Sequence, residues 1–211
     1  MRVRDQLVVA VLLADVTWLG LHRVAEAKNE AAVGGGAFRL APPRSAEVDA
    51  FARVRGDLVQ LGQGEMAARL ERLQQDGHLW VAPRLDAGRW AVYVQSLGLV
   101  RRVYVRQEAL LRPLDHLFRG ASSPAPPRYQ EAFARLALGG ALVHELAHYD
   151  GLIEEGAAYD RELAWYEEIR ASPFVASLTG EAREAYDWAL ESAILSARAA
   201  RRRATGEAPS S

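Results

Sequence analysis

"ALVHELAHYDGLIEEGAAYDRE", residues 141–162, decides how the centre of this chain folds and what chemistry it can carry. The longer segment "YQEAFARLALGGALVHELAHYDG" (129–151) contains no proline and ends on Gly151, which predicts a helix of about six turns closed by a glycine C-cap. His144 and His148 then share one face, one turn apart. Two imidazoles so placed can reach a single cation at ~2.0–2.1 Å. Ala141, Gly140 and Ala137, one and two turns upstream, are small and leave room above such an ion. Glu145 sits beside His144, where it can touch a water at the ion without binding the ion, and can take that water's proton as a general base.

A catalytic zinc usually has three protein ligands and one open position. The chain has no cysteine, and none of its five histidines follows His148, so the third ligand is expected to be a carboxylate from the acidic segment downstream. If the chain turns at Gly151 and "LIEEGAAYDRELAWYEEI" (152–169) returns antiparallel, a residue as far after the turn as His148 is before it comes level with the ion. Glu155 and Glu154 satisfy that condition, whereas Glu162 lies two turns further along, opposite Ala141. Sharing of helix faces ranks Glu155 first, Glu154 second and Glu162 third. Tyr159, one turn after Glu155, is a candidate catalytic group able to donate a hydrogen bond to a ligand or to a developing oxyanion; simple packing against a sheet is the competing role.

"HELAH", followed after a short turn by "EEGAAYDRE", resembles the zinc-dependent metallopeptidases of the gluzincin type, in which a helix bearing His-Glu-x-x-His precedes a second helix that gives a glutamate ligand. The resemblance covers about residues 128–170. It implies a zinc cofactor held by His144, His148 and Glu155, with Glu145 as base and proton shuttle in the hydrolysis of a protein or peptide substrate. It also implies a sheet whose edge strand runs beside the substrate, a role the strand ending near Arg106 could fill. The chain departs from the pattern at one point: many gluzincins carry, four positions after the glutamate, an aspartate that orients a ligand histidine, and here Tyr159 stands there with Asp160 one step beyond. The alternative from a different class is a non-catalytic envelope interaction protein with a structural or vestigial metal site.

Outward from this centre, "HLWVAP" (78–83), "RWAVYVQS" (89–96) and "LVRRVYVR" (99–106) are rich in Val, Tyr and Trp, with turn signals at Asp86 to Gly88 and Leu97-Gly98. They predict three short antiparallel strands, the last with Val103 and Val105 on one face and Arg102, Tyr104 and Arg106 on the other. Helices are expected from Ser45, over 65–75, and from a Thr179 cap to about residue 200, while "RGASSPAPPRYQ" (119–130) reads as a loop able to block or regulate the site. The expected fold class is α+β: a small antiparallel sheet packed on a helical core, with the His-Glu-x-x-His helix followed by an antiparallel glutamate-bearing helix.

At the N-terminus, Arg2 and Arg4 precede "LVVAVLLADVTWLGL" (7–21), whose one charged residue is Asp15. That run is shorter than the ~20 residues a membrane span needs, so residues 1–27 read as a signal-like or membrane-anchor segment, with Ala25-Glu26-Ala27 fitting a small-x-small cleavage site. Residues 28–44, with three consecutive glycines and Pro42-Pro43, read as a linker; 45–203 as the metallopeptidase-like domain; 204–211 as a disordered tail. The expected location is exported or membrane-anchored, on the periplasmic or extracellular side and possibly tethered through residues 7–21, with a cytoplasmic protein as the alternative. A formal net charge of −1 supplies no global field to attract polyanions, so no nucleic-acid partner is expected.

Overall fold

Gly34, Gly35 and Gly36 all take positive φ (76°, 78° and 71°), a run of left-handed conformations open to glycine at little cost, and they turn the chain from its first helix into a sheet. The computed structural model describes residues 3–41, 45–86, 88–117 and 125–207. Helix α1 (Val3–Ala32) leads to β1 (Phe38–Arg39), then α2 (Ser45–Gln60), α3 (Gly64–Gln75) and β2 (Leu79–Ala82). Strands β3 (Ala91–Ser96) and β4 (Val100–Arg106) follow, then the short helices α4 (Gln107–Leu111) and α5 (Pro113–Leu117). The chain continues through α6 (Pro127–Tyr149), α7 (Glu155–Arg170), short α8 (Pro173–Ser177) and α9 (Gly180–Thr205). The fold is α+β, as expected, with a small sheet packed on helices.

The sheet differs from the expectation in its pairing. Its order is β1-β2-β4-β3; β3 and β4 form an antiparallel hairpin, but β2 runs parallel to β4. The turn signal at Asp86 to Gly88 belongs to a connection of eight residues, 83–90, longer than the two to five typical of a hairpin loop. That length carries the chain past the place β4 later fills. The fourth strand, β1, lies in the segment expected to be a linker and pairs antiparallel with β2, Phe38 opposite Val81. Because β4 is bonded on both sides, it is not an edge strand; among the described residues the edges are β1 and β3.

The two faces of the sheet bury different things. Leu79, Val81, Val103 and Val105 point into the main core, which also holds Leu136, Leu142 and Leu146 of α6 and Trp165 and Ile169 of α7. Each such fully buried aliphatic side chain contributes about 1.5–3 kcal/mol relative to exposure. The opposite face, Ala82 and Tyr104, is covered by Val33 at the end of α1. Arg102, on that face, pairs with Glu26 of α1 at 2.6 Å and lies 3.8 Å from the Trp80 ring centroid. Helix α1 therefore crosses the boundary that composition set at residue 27 without a break, and Ala25 of the small-x-small triplet is fully buried. Among the described residues no helix is long and apolar enough to cross a membrane.

Helix α6 starts with Pro127 in its first turn, where a missing N–H is harmless. Its end is a Schellman turn: Leu152 N donates to Ala147 O (3.0 Å), Gly151 N donates to His148 O (2.9 Å), and Gly151 takes φ 100°. Helix α7 then returns beside α6 at very close range, since a Cβ on Gly139 would collide with the Trp165 ring and one on Gly140 with the Tyr166 hydroxyl. Arg201 of α9 ties that helix to Asp160 of α7 at 2.5 Å. Thr179 is the N-cap residue of α9, though its side chain makes no capping bond. Part of the loop expected at 119–130 (119–124) and the end of the expected tail, 208–211, lie outside the described residues; Thr205 still closes α9.

Candidate metal centre

The last two turns of α6 set His144 and His148 side by side, and the first residue of α7 brings Glu155 over them. His144 Nε2 lies 3.1 Å from Glu155 Oε2 and 3.2 Å from His148 Nε2, and His148 Nε2 lies 3.7 Å from the same Glu155 oxygen. These three ligand atoms all fall within 4.8 Å of one another. Two ligands at ~2.0–2.1 Å from a tetrahedral zinc stand about 3.3–3.4 Å apart, so the spacing suits one small cation at their centre. Glu154, the second-ranked acid, is the exposed N-cap residue of α7 and does not join the group.

The far nitrogens of both rings face acceptors. His148 Nδ1 is 2.6 Å from Leu152 O, the carbonyl delivered by the Schellman turn. His144 Nδ1 is 3.5 Å from Glu162 Oε2; this contact misses hydrogen-bond geometry and acts as an electrostatic one. With its proton on Nδ1, each ring would turn its Nε2 lone pair toward Glu155, the tautomer a metal ligand needs. Glu162 thus stands behind a histidine rather than beside the expected ion, one turn past Tyr159. It is buried, accepts a hydrogen bond from Tyr166 Oη at 3.0 Å, and its Oε1 sits where a Cβ on Gly140 would come within 2.9 Å. The expectation that Gly140 opens space above an ion is corrected: that space holds the Glu162–Tyr166 pair. Burial works against the charged form of His144, yet Glu162, Glu145 and Glu155 outweigh it and raise its pKa, so the pocket favours a cation.

Glu145 faces the edge strand. Its Oε2 accepts the Tyr93 backbone N–H at 2.6 Å, which ties the carboxylate to β3 and leaves its second oxygen available. Burial raises its pKa, opposed by the Tyr93 amide and the two histidines. Tyr159 packs its ring 4.3 Å from that of His144. His144, Glu145, Glu155, Tyr159 and Glu162 border a cavity of about 430 Å³ between α6, α7, α9 and the start of β3, with Ala137 and Ala141 on its α6 wall; His148 lies outside its lining.

No protein-family model matches this chain, and no curated protein or solved structure shows significant similarity to it.

Proposed function

We propose that the chain is a zinc-dependent peptidase, with His144, His148 and Glu155 as the zinc ligands and Glu145 as general base. The observation that carries this reading is the convergence of two Nε2 atoms and one carboxylate oxygen, with both Nδ1 atoms turned to acceptors. Zinc, when bound, would supply the Lewis acidity that makes a neighbouring water acidic near neutral pH and polarises a carbonyl. Glu145 takes the proton from that water and hands it to the departing amine. Glu162 and Leu152 O act one step back by holding the rings. The cavity beside Ala137 and Ala141 receives the substrate, and β3 is the sheet edge on that side, its Tyr93 amide already taken by Glu145.

The test compares the zinc-loaded full chain with Glu145→Gln on a mixture of quenched fluorescent peptides. The substitution should keep the zinc and lower hydrolysis by ~10²–10⁴-fold. Equal rates in the two proteins would reject Glu145 as the base, and zinc binding with no hydrolysis in the parent would move the chain to a structural-metal reading.

A further inference from the structure

We infer that the end of the molecule formed by α1 and the tip of the β3–β4 hairpin docks on a lipid bilayer, with the hairpin tip as a second contact beside the N-terminal helix. This inference is independent of the zinc chemistry. It starts from an outlier. Leu97, in the tip, is the one non-glycine residue with positive φ (54°) among the described residues, and it is half exposed. Leucine is a poor choice at such a position, where asparagine or glycine would relieve strain at no loss to the core. Its neighbour Leu99 is also exposed. A strained turn that presents two leucines to solvent points to a contact outside the protein.

Helix α1 meets the same end of the sheet. Val33 packs with Ala82 and Tyr104, whereas Asn29 Nδ2 donates to Val100 O at 3.3 Å, and Val100 is the β4 residue paired with Ser96 at the mouth of the turn. Asn29 thus meets β4 beside the tip, while Glu26, one turn further back, pairs with Arg102, so α1 crosses the hairpin obliquely. Eight residues back from Asn29, at a rise of ~1.5 Å each, Leu21 stands about 12 Å beyond it. Trp18, Leu19, Leu21 and Val24 are all about half exposed there. In sequence these residues end the run "LVVAVLLADVTWLGL", whose one charged residue is Asp15, a composition that favours a large core or lipid.

Two features favour lipid over a second copy of the chain. Trp18 stands where the apolar run gives way to His22 and Arg23, the position that tryptophan and basic residues take at a membrane interface. Arg101, next to the tip, is exposed too, with its guanidinium 5.2 Å from the Tyr149 ring centroid, an arrangement that keeps its charge for an anionic headgroup. The second half of α1 is built into the fold through Ala25, Asn29 and Val33, so the helix and the tip approach a surface as one unit. Tyr93, whose amide holds Glu145, lies four residues from Leu97, about 14 Å along an extended strand. The candidate metal centre would then work close to the bilayer.

Flotation of the full chain, reconstituted by detergent removal with vesicles of three parts phosphatidylcholine to one part phosphatidylglycerol, tests the inference. The parent should float, and brominated lipid should quench the Trp18 emission, identified by difference from Trp18→Phe. The double variant L97D/L99D should partition ~10-fold or more less, since each lost leucine contact removes a sizeable transfer term, while its thermal midpoint is unchanged. Leu97→Asn should also partition less and be as stable as the parent or more so. Equal flotation of parent and tip variants overturns the tip contact. A parent that stays with the aqueous phase and self-associates overturns the lipid assignment in favour of a second copy.

Discussion

His148 Nδ1 lies 2.6 Å from the carbonyl oxygen of Leu152, four residues on and just past the end of its helix. The turn that stops α6 thus also aims a ligand candidate. Gly151 makes that turn possible with φ 100°, and the same turn sets the short distance at which Glu155 begins α7. One local event in the backbone prepares two of the three converging groups.

Replacing Gly151 with alanine should accordingly do two things. The side chain would be forced into a left-handed conformation at a stability cost of about 1 kcal/mol or more. Zinc affinity should fall as well, because the Leu152 carbonyl moves away from His148. Calorimetric unfolding together with zinc competition against a chromophoric chelator checks both; unchanged affinity would detach the turn from the site.

Glu162→Gln removes the charge behind His144 while keeping a partner for the Tyr166 hydroxyl. Zinc should bind ~10–100-fold more weakly, as is typical when the group orienting a ligand is altered, with little change in the far-ultraviolet circular dichroism. The same affinity in variant and parent would show that Glu162 is simply a buried acid.

Gly140→Ala tests the close approach of α6 and α7. Its methyl group would meet the Tyr166 hydroxyl and Glu162 Oε1, both buried, so one helix must shift. Overpacking of this sort costs about 1–3 kcal/mol, a drop of several degrees in Tm for a chain of this size. A variant as stable as the parent would contradict the tight interface.

Tyr166 gives a pH signature. Burial first, then the charge of Glu162, raises its pKa well above the ordinary tyrosine value. The folded state therefore holds this proton more tightly than the unfolded one. The resulting stability is complete below about pH 10, the value in the unfolded chain, and declines as pH rises above it. Thermal midpoints between pH 9 and 11 should fall more steeply in the parent than in Tyr166→Phe. Parallel curves would place the alkaline loss elsewhere.

What the sequence disclosed follows the range of the forces involved. The six-turn helix, its glycine stop and the ranking of Glu155 over Glu154 rest on spacings within about fifteen residues, where helical geometry alone decides. The role of Glu162 does not. It depends on how α7 is rotated and pressed against α6, which is set by Gly139 and Gly140 meeting Trp165 and Tyr166, a helix-packing matter that spacing from Gly151 cannot express. Strand order is likewise non-local: residues 83–90 contain a turn signal, yet the strand beside β2 is β4 and not the next strand in sequence, β3. Composition also divided α1 at residue 27, where the apolar run ends. The buried series Ala25, Asn29 and Val33, four apart, is the signal of a continuous packed face, masked by a polar residue at its centre.

His144, His148 and Glu155 are proposed to close around one divalent ion. Elemental analysis of the full chain, loaded with zinc and freed of excess by gel filtration, measures it beside His144→Ala, His148→Ala and Glu155→Ala. About one zinc per parent chain, little in either histidine variant and a weakening of more than ~100-fold in Glu155→Ala are expected, since a lost ligand exceeds an altered orienting group. A zinc-free parent, or a Glu155→Ala protein that binds as tightly as the parent, would contradict the account.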